Sequence, residues 1–214
     1  YFRTLYSGRY GMEFNLYFSD RKPRMAIFVS RMSHCLYDLL ARYNAGEMNV
    51  EIPCIVSNHE ELRYVAEQFG IPYYVWSIKK DWSNKAEVEQ AEMEVLKEKK
   101  INFIVLARYM QIISDEMIES YPNRIINIHP SLLPKFGGKG MWGHHVHEAV
   151  KAAGETETGI TIHYVNANLD EGQQIAQFKT QLTPEDTPDT IADKVHVLEM
   201  THFPVVLEEV FKKG

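Results

Sequence analysis

Residues 102–129 read NFIVLARYMQIISDEMIESYPNRIINIH. Two apolar runs, Asn102–Leu106 and Arg124–Ile128, are short, rich in branched side chains and nearly free of polar interruption. That pattern reads as strands buried on both faces. A short helix is expected between them around Asp115–Tyr121. A strand, a crossover and a second buried strand make the unit from which parallel sheets are built.

Upstream the same alternation continues. Met25–Ser30 (MAIFVS) reads as a strand, and Ser33–Tyr43 as a helix with Leu36, Leu39 and Leu40 on one face. Val50–Val56 is a second strand, Glu60–Phe69 a helix stopped by Gly70, and Pro72–Trp76 a third strand. Asn84–Lys99 reads as a long polar helix, with Asn84 and Glu87 at capping-box spacing. The expected fold class is α/β, a Rossmann-like doubly wound and mostly parallel sheet. Ligands of such sheets sit beyond the carboxyl ends of the strands.

Downstream the pattern changes. Pro130–Gly143 is a Gly/Pro-rich loop and His145–Ala153 a helix, while Thr158–Val165 and Gln174–Leu182 alternate like antiparallel strands. Thr187-Pro188-Asp189 supplies an N-cap, a first-turn proline and an early acid for a C-terminal helix. Residues 1–22 do not fit the alternation and read as an appendage or linker.

The bulk properties bound the function. The 214 residues are 45% hydrophobic and 24% charged, ordinary for one soluble globular domain. A net charge of −6 and a pI near 5.9 argue against a nucleic-acid partner, which would need a basic surface. They leave room for an anionic small molecule held by a local basic cluster. No apolar run approaches the roughly 20 residues that span a bilayer, so no membrane role is expected. Cys35 and Cys54 lack C-x-x-C spacing, which suits a reduced, cytoplasmic protein. With neither an initiator Met nor a signal-peptide core at Tyr1, the chain is expected to be cut from a longer one. A homo-oligomer is compatible with the sequence, which does not specify one.

Asn127 and His129 stand two residues apart at the end of a strand, so both project to one side at the sheet's carboxyl edge. An amide donor beside a switchable imidazole suits stabilising an oxyanion and moving a proton next to it. A turn-capping Asn and a satisfied loop His would present the same letters.

The run Asn127-Ile128-His129-Pro130-Ser131-Leu132-Leu133-Pro134 resembles the signature of the formyl transferase family that uses formyltetrahydrofolate. A second segment, Leu169-Asp170-Glu171-Gly172, falls where that family keeps its acid, just after His163-Tyr164-Val165. The resemblance covers about residues 24–212 and implies a catalytic Asn127, His129 and Asp170. It implies that Asn127 and His129 hold the formyl oxygen while Asp170 orients or deprotonates the nucleophile. It places the folate pocket at Leu106–Ile113, with Met110, Gln111, Ile112 and Ile113 on one wall and Val165, Asn166 and Leu169 on the other. From the residues alone, Tyr109–Ile113 reads equally well as a core-facing helix entry. The implied cofactor-substrate is 10-formyltetrahydrofolate, with no metal.

The resemblance divides along the chain. Transferases of the family that act on glycinamide ribonucleotide carry a glycine-rich phosphate loop after the first strand. Here Ser30–Leu40 (SRMSHCLYDLL) has no glycine and resembles the corresponding segment of the formyltetrahydrofolate deformylases, whose acceptor is water. Residues 1–22 resemble the tail of a regulatory ACT-type domain, which gives an expected division into a 1–23 remnant and a 24–214 catalytic domain. From Pro130 to Glu199 the chain is more similar to the ribonucleotide transferases, and Glu199 matches an acid that contacts the ribonucleotide there. Ser33, His34 and Glu199 are therefore the expected acceptor side, with Arg31 as a further donor. A natural mosaic and an engineered chimera both fit. The expectation is hydrolysis of 10-formyltetrahydrofolate to formate and tetrahydrofolate, within purine and one-carbon metabolism. The alternatives are phosphoribosylglycinamide formyltransferase and an inactive folate-binding module.

Other signals carry less. Phe136-Gly137-Gly138-Lys139-Gly140 lacks the frame of a phosphate loop and reads as a mobile lid. His144, His145 and His147 lack the partners of a zinc site. His163 is expected to make a structural hydrogen bond near the site. Cys35 sits at a helix start without a supporting nucleophile motif. Lys79–Lys85 and Lys97–Lys100 read as solvated surface.

Overall fold

The computed structural model describes residues 22–213. The expected remnant at residues 1–23 lies almost wholly outside them. Strands β1 (Arg24–Val29), β2 (Glu51–Ser57), β3 (Tyr73–Val75), β4 (Phe103–Leu106), β5 (Ile125–His129), β6 (Glu157–Tyr164) and β7 (Gln174–Gln181) form one sheet in the order β3-β2-β1-β4-β5-β6-β7. The first five are parallel, β6 runs antiparallel to β5, and β7 runs antiparallel to β6. Chain order reverses between β1 and β4, which is where a doubly wound sheet opens a ligand crevice.

The helices are α1 (His34–Asn44), α2 (Arg63–Gln68), α3 (Lys85–Glu98), α4 (Asp115–Ser120), α5 (His144–Ala152) and α6 (Pro188–Lys213). Alternate residues of the buried strands feed two cores. Met25, Ile27 and Val29 face the layer of α1, α2 and α6, where Leu36, Val65 and Phe203 meet them. Ala26 and Phe28 face α3 and α4, against Leu96 and Met117. This division follows from the period-2 pattern of a strand covered on both sides.

Two local expectations fail for identifiable reasons. The helix read from Glu60 begins only at Arg63. The Asn84–Glu87 capping box does not form. The Asn84 side chain instead accepts from the Lys79 N–H at 2.9 Å and donates to the Ser77 carbonyl at 2.9 Å, tying down the preceding loop. α3 is as polar as expected, yet it buries Glu89 and Glu92 beside Val88 and Leu96. Conversely, Thr187 does cap α6, accepting from the Thr190 N–H at 3.3 Å. Pro204 lies inside α6 and cannot bond the Met200 carbonyl. Arg42 takes that carbonyl at 3.3 Å, joining α1 to α6. Among the described residues no helix is long and apolar enough to cross a membrane.

Candidate active site

The end of β5 delivers Asn127 and His129 to the carboxyl edge, and β6 lies antiparallel beside it with His163 opposite Asn127. His163 Nδ1 is 3.0 Å from the Tyr164 carbonyl oxygen, which can only accept, so Nδ1 carries the proton. His163 Nε2 is then an acceptor, and the Asn127 amide donates to it at 3.1 Å. One Asn127 N–H is thereby fixed by its neighbour and the amide orientation is set. His129 is read in the same way. Its Nε2 donates to the Phe136 carbonyl at 2.8 Å, which leaves Nδ1 with a free lone pair. Burial lowers the pKa of His129, the nearby Asp170 carboxylate opposing it, and burial likewise lowers His163. Both imidazoles are neutral at neutral pH.

Asp170 completes the cluster. Its Oδ2 lies 3.6 Å from His129 Nδ1 and its Oδ1 lies 3.8 Å from His163 Nε2. Both gaps exceed a direct hydrogen bond. Asp170 sits at φ 60°, a left-handed conformation that Asp tolerates better than most residues. Gly172 lets the turn close on β6: a methyl group there would meet the Tyr164 carbonyl oxygen at 1.6 Å. The Gly138 N–H donates to Asp170 Oδ2 at 2.8 Å. Together with the His129–Phe136 bond, this pins the Phe136–Gly140 segment to the site. The expected free lid is a strap held at two points.

Asn127, His129 and Asp170 all line a cavity of about 440 Å³. Met110, Gln111, Ile112 and Ile113 line it from the loop after β4, and Val165, Asn166 and Leu169 from the loop after β6. Every residue expected on the folate walls is therefore at the cavity. The competing core reading also holds in part, because Tyr109 and Ile113 pack into the core beneath while edging the cavity. The segment is a loop, with α4 starting only after Ser114.

Sequence reasoning did not single out Trp82 and Trp142. Both are about half exposed, and with Ile112 and Leu169 they give the cavity an apolar rim. The available signal was a tryptophan set in a polar loop, where burial does not explain it. Lys85, read as solvated, stands over the Trp82 ring at 5.0 Å and 3.9 Å from Glu89.

The expected acceptor side lies outside the cavity lining. Glu199 on α6 is fully buried, and its carboxylate is bound by His34 Nε2 and, at 3.1 Å, by Arg108 NH1. Ser33 immediately precedes His34 but makes no side-chain cap on α1. Burial alone would raise the Glu199 pKa, but Arg108 and His34 outweigh it and the net shift is downward. This buried pair was invisible in sequence, because Arg108 and Glu199 are 91 residues apart. His34, Cys35 and Glu199 bring a ligand-like set of atoms within 4.8 Å of one another. Two features oppose a metal there. Arg108 already holds Glu199, and burial, reinforced by Glu199, pushes the Cys35 thiol well up, whereas metals bind thiolate. Buried and held as a thiol, Cys35 is not poised as a nucleophile.

The fold and site define an α/β protein with an Asn–His–Asp cluster, its His buried, lining an apolar-rimmed cavity. The model of the family described as Formyl transferase matches residues 23–207, and the chain belongs to that family. A formyltetrahydrofolate deformylase from Synechocystis sp. is 42% identical over 184 residues, 86% of this chain and 62% of that protein. The crystal structure of a formyltetrahydrofolate deformylase from Pseudomonas syringae pv. tomato matches with a TM-score of 0.83 at 31% identity, over 91% of this chain and 63% of that one. Glycinamide ribonucleotide transformylase 1 from Geobacillus kaustophilus matches with a TM-score of 0.82 at 30% identity, over 89% of this chain and 100% of that one. The chain spans about three fifths of the length of the curated deformylases it matches.

Proposed function

We propose that this chain hydrolyses 10-formyltetrahydrofolate to formate and tetrahydrofolate. The observation that carries the reading is the state of the two imidazoles. His163 holds Asn127 as a preset donor, and His129 keeps a free Nδ1 lone pair beside Asp170. Water attacks the formyl carbon and gives its proton to His129, whose imidazolium is stabilised by the adjacent carboxylate of Asp170. The carbonyl oxygen becomes an oxyanion and takes an N–H of Asn127. As the tetrahedral centre collapses, the C–N10 electron pair returns to N10 with a proton from His129. This refines the expectation that His129 holds the formyl oxygen: it can donate there only after it has been protonated.

The apolar rim of Trp82, Trp142, Ile112 and Leu169 suits a fused heteroaromatic ring with an aryl arm. Water as acceptor is favoured by the start of α1. Ser30–Ser33 contains no glycine, and the Ser30 N–H is already spent on the Arg108 carbonyl at 3.2 Å, which makes the segment less able to wrap a phosphate closely. The deformylase names of several relatives support the same reading. A ribonucleotide transferase is the second reading, favoured by the full-length match to the Geobacillus kaustophilus transformylase. A reduced, cytoplasmic setting suits the free thiols of Cys35 and Cys54, and the net charge of −6 suits a small-molecule partner better than nucleic acid. The test is turnover of 10-formyltetrahydrofolate with and without glycinamide ribonucleotide. Formate release independent of the ribonucleotide is expected; turnover that requires it contradicts the reading.

A further inference from the structure

Arg108 stands two residues beyond the end of β4 and lines the cavity beside Asn127, His129 and Asp170. It adopts φ 64°, a conformation costly for any side chain with a Cβ and natural for glycine. Its guanidinium is 1% exposed and lies between the cavity and a second group of buried polar side chains. One nitrogen binds Glu199, and another lies 3.0 Å from the Met32 sulfur. Its Nε has no partner, and the same is true of both ring nitrogens of buried His147 and of His196 Nε2. All three side chains act electrostatically on Glu199 or on one another. Buried polar atoms are nearly always paired, and unpaired ones grouped in one place mark a recess with more hydrogen-bonding capacity than the chain fills.

We propose that Arg108 is a plug. Its side chain occupies a polar recess next to the reacting centre that would otherwise seat a hydroxyl-rich amine, and it thereby restricts the formyl acceptor to water. The inference rests on the hydrolytic reading and names the residue that enforces it. With the guanidinium gone, Oε1 of Glu199 becomes an acceptor for hydroxyl groups, while Oε2 stays with His34. An amine seated there attacks the formyl carbon in place of water. The new C–N bond forms from the amine lone pair, the C–N10 pair returns to N10, and one amine proton passes through His129 to N10. No oxidant or further reactant is needed.

The test replaces Arg108 by the residue its backbone angle favours. Arg108→Gly, Arg108→Gly/Glu199→Gln and Arg108→Lys are compared with the parent for glycinamide ribonucleotide affinity by calorimetry, and for formylated ribonucleotide by mass spectrometry. The double variant leaves no naked buried charge. At least tenfold tighter ribonucleotide binding is expected in one or both glycine variants, with formylated product appearing, while Arg108→Lys stays like the parent. Glycine variants that fold and bind folate yet take up the ribonucleotide no better than the parent overturn the proposal. So does a parent that already binds it as tightly. Failure of both glycine variants to fold while Arg108→Lys folds also overturns it, since the guanidinium would then be structural. A parent that releases no formate contradicts hydrolysis alone, because the affinity comparison still decides the plug.

Discussion

Two polar clusters near Arg108, one around the fully buried Glu199 and one lining the cavity, are bonded in opposite ways. Around Glu199, opposite charges close on each other: His34 and Arg108 both hold the carboxylate, and nothing of it reaches the cavity. Around Asp170 the contacts are loose, with gaps of 3.6 and 3.8 Å to two neutral imidazoles, and all three expected catalytic residues edge the cavity. A cluster that has satisfied its own groups can hold structure but has little left for a substrate. A cluster whose members are fixed from behind, with donors and lone pairs left over, is preorganised for charge that develops only during reaction.

The sharpest way to break this contrast is to remove the lone pair. His129→Ala should lower kcat by about 10²- to 10⁴-fold, the usual worth of a positioned general base, while folate still binds by fluorescence titration. Retained turnover would place the chemistry elsewhere. The next largest effect concerns His163, which holds the Asn127 amide in place. His163→Ala should reduce kcat about tenfold, well short of the loss of an oxyanion donor itself, with KM little changed. A change in KM alone would make His163 a folate contact instead. The pH profile sharpens the comparison further. The proposed hydrolysis needs neutral His129, whose pKa is lowered by burial, so kcat/KM should stay flat through neutrality. It should fall only as the pH drops through a value below the ordinary histidine range.

The smallest effect belongs to the wall behind the cavity. Glu92 is buried, accepts from the Tyr109 hydroxyl at 3.2 Å, and has its other oxygen unpartnered. Burial, with the Glu89 charge adding to it, pushes its carboxyl up to about 8 from 4.5. The folded protein thus binds this proton more tightly than the unfolded chain. The stability linked to it is complete below pH 4.5 and drains away as the pH rises through about 8. Glu92→Gln removes the drain, so its melting temperature relative to the parent should gain about 5 °C between pH 6 and pH 9. Parallel melting curves for the two proteins would show that Glu92 is not the group involved.

Legibility in the sequence follows the range of the interaction. The sheet was readable because period-2 and period-3.6 patterns are local, and the buried strands at 102–106 and 124–128 announced the parallel core. Asn127 and His129 were readable because two residues on one strand share a face. The capping box at Asn84 was misread because the same side chain had closer partners in the preceding loop. The Arg108–Glu199 pair, the Asn127–His163 bond and the buried Glu92 join residues far apart in the chain. No spacing rule signals them. Nor does the sequence signal that the Phe136–Gly140 segment is anchored to a strand histidine and a distant aspartate.

The central claim is that a neutral His129 and a preset Asn127 deliver the formyl group to water. Its most direct test is incubation of the protein with 10-formyltetrahydrofolate in heavy-oxygen water without any amine acceptor, with the released formate read by mass spectrometry. Formate carrying one labelled oxygen, in step with tetrahydrofolate formed, is the predicted result. No formate without an amine, from protein that binds the folate, would contradict it.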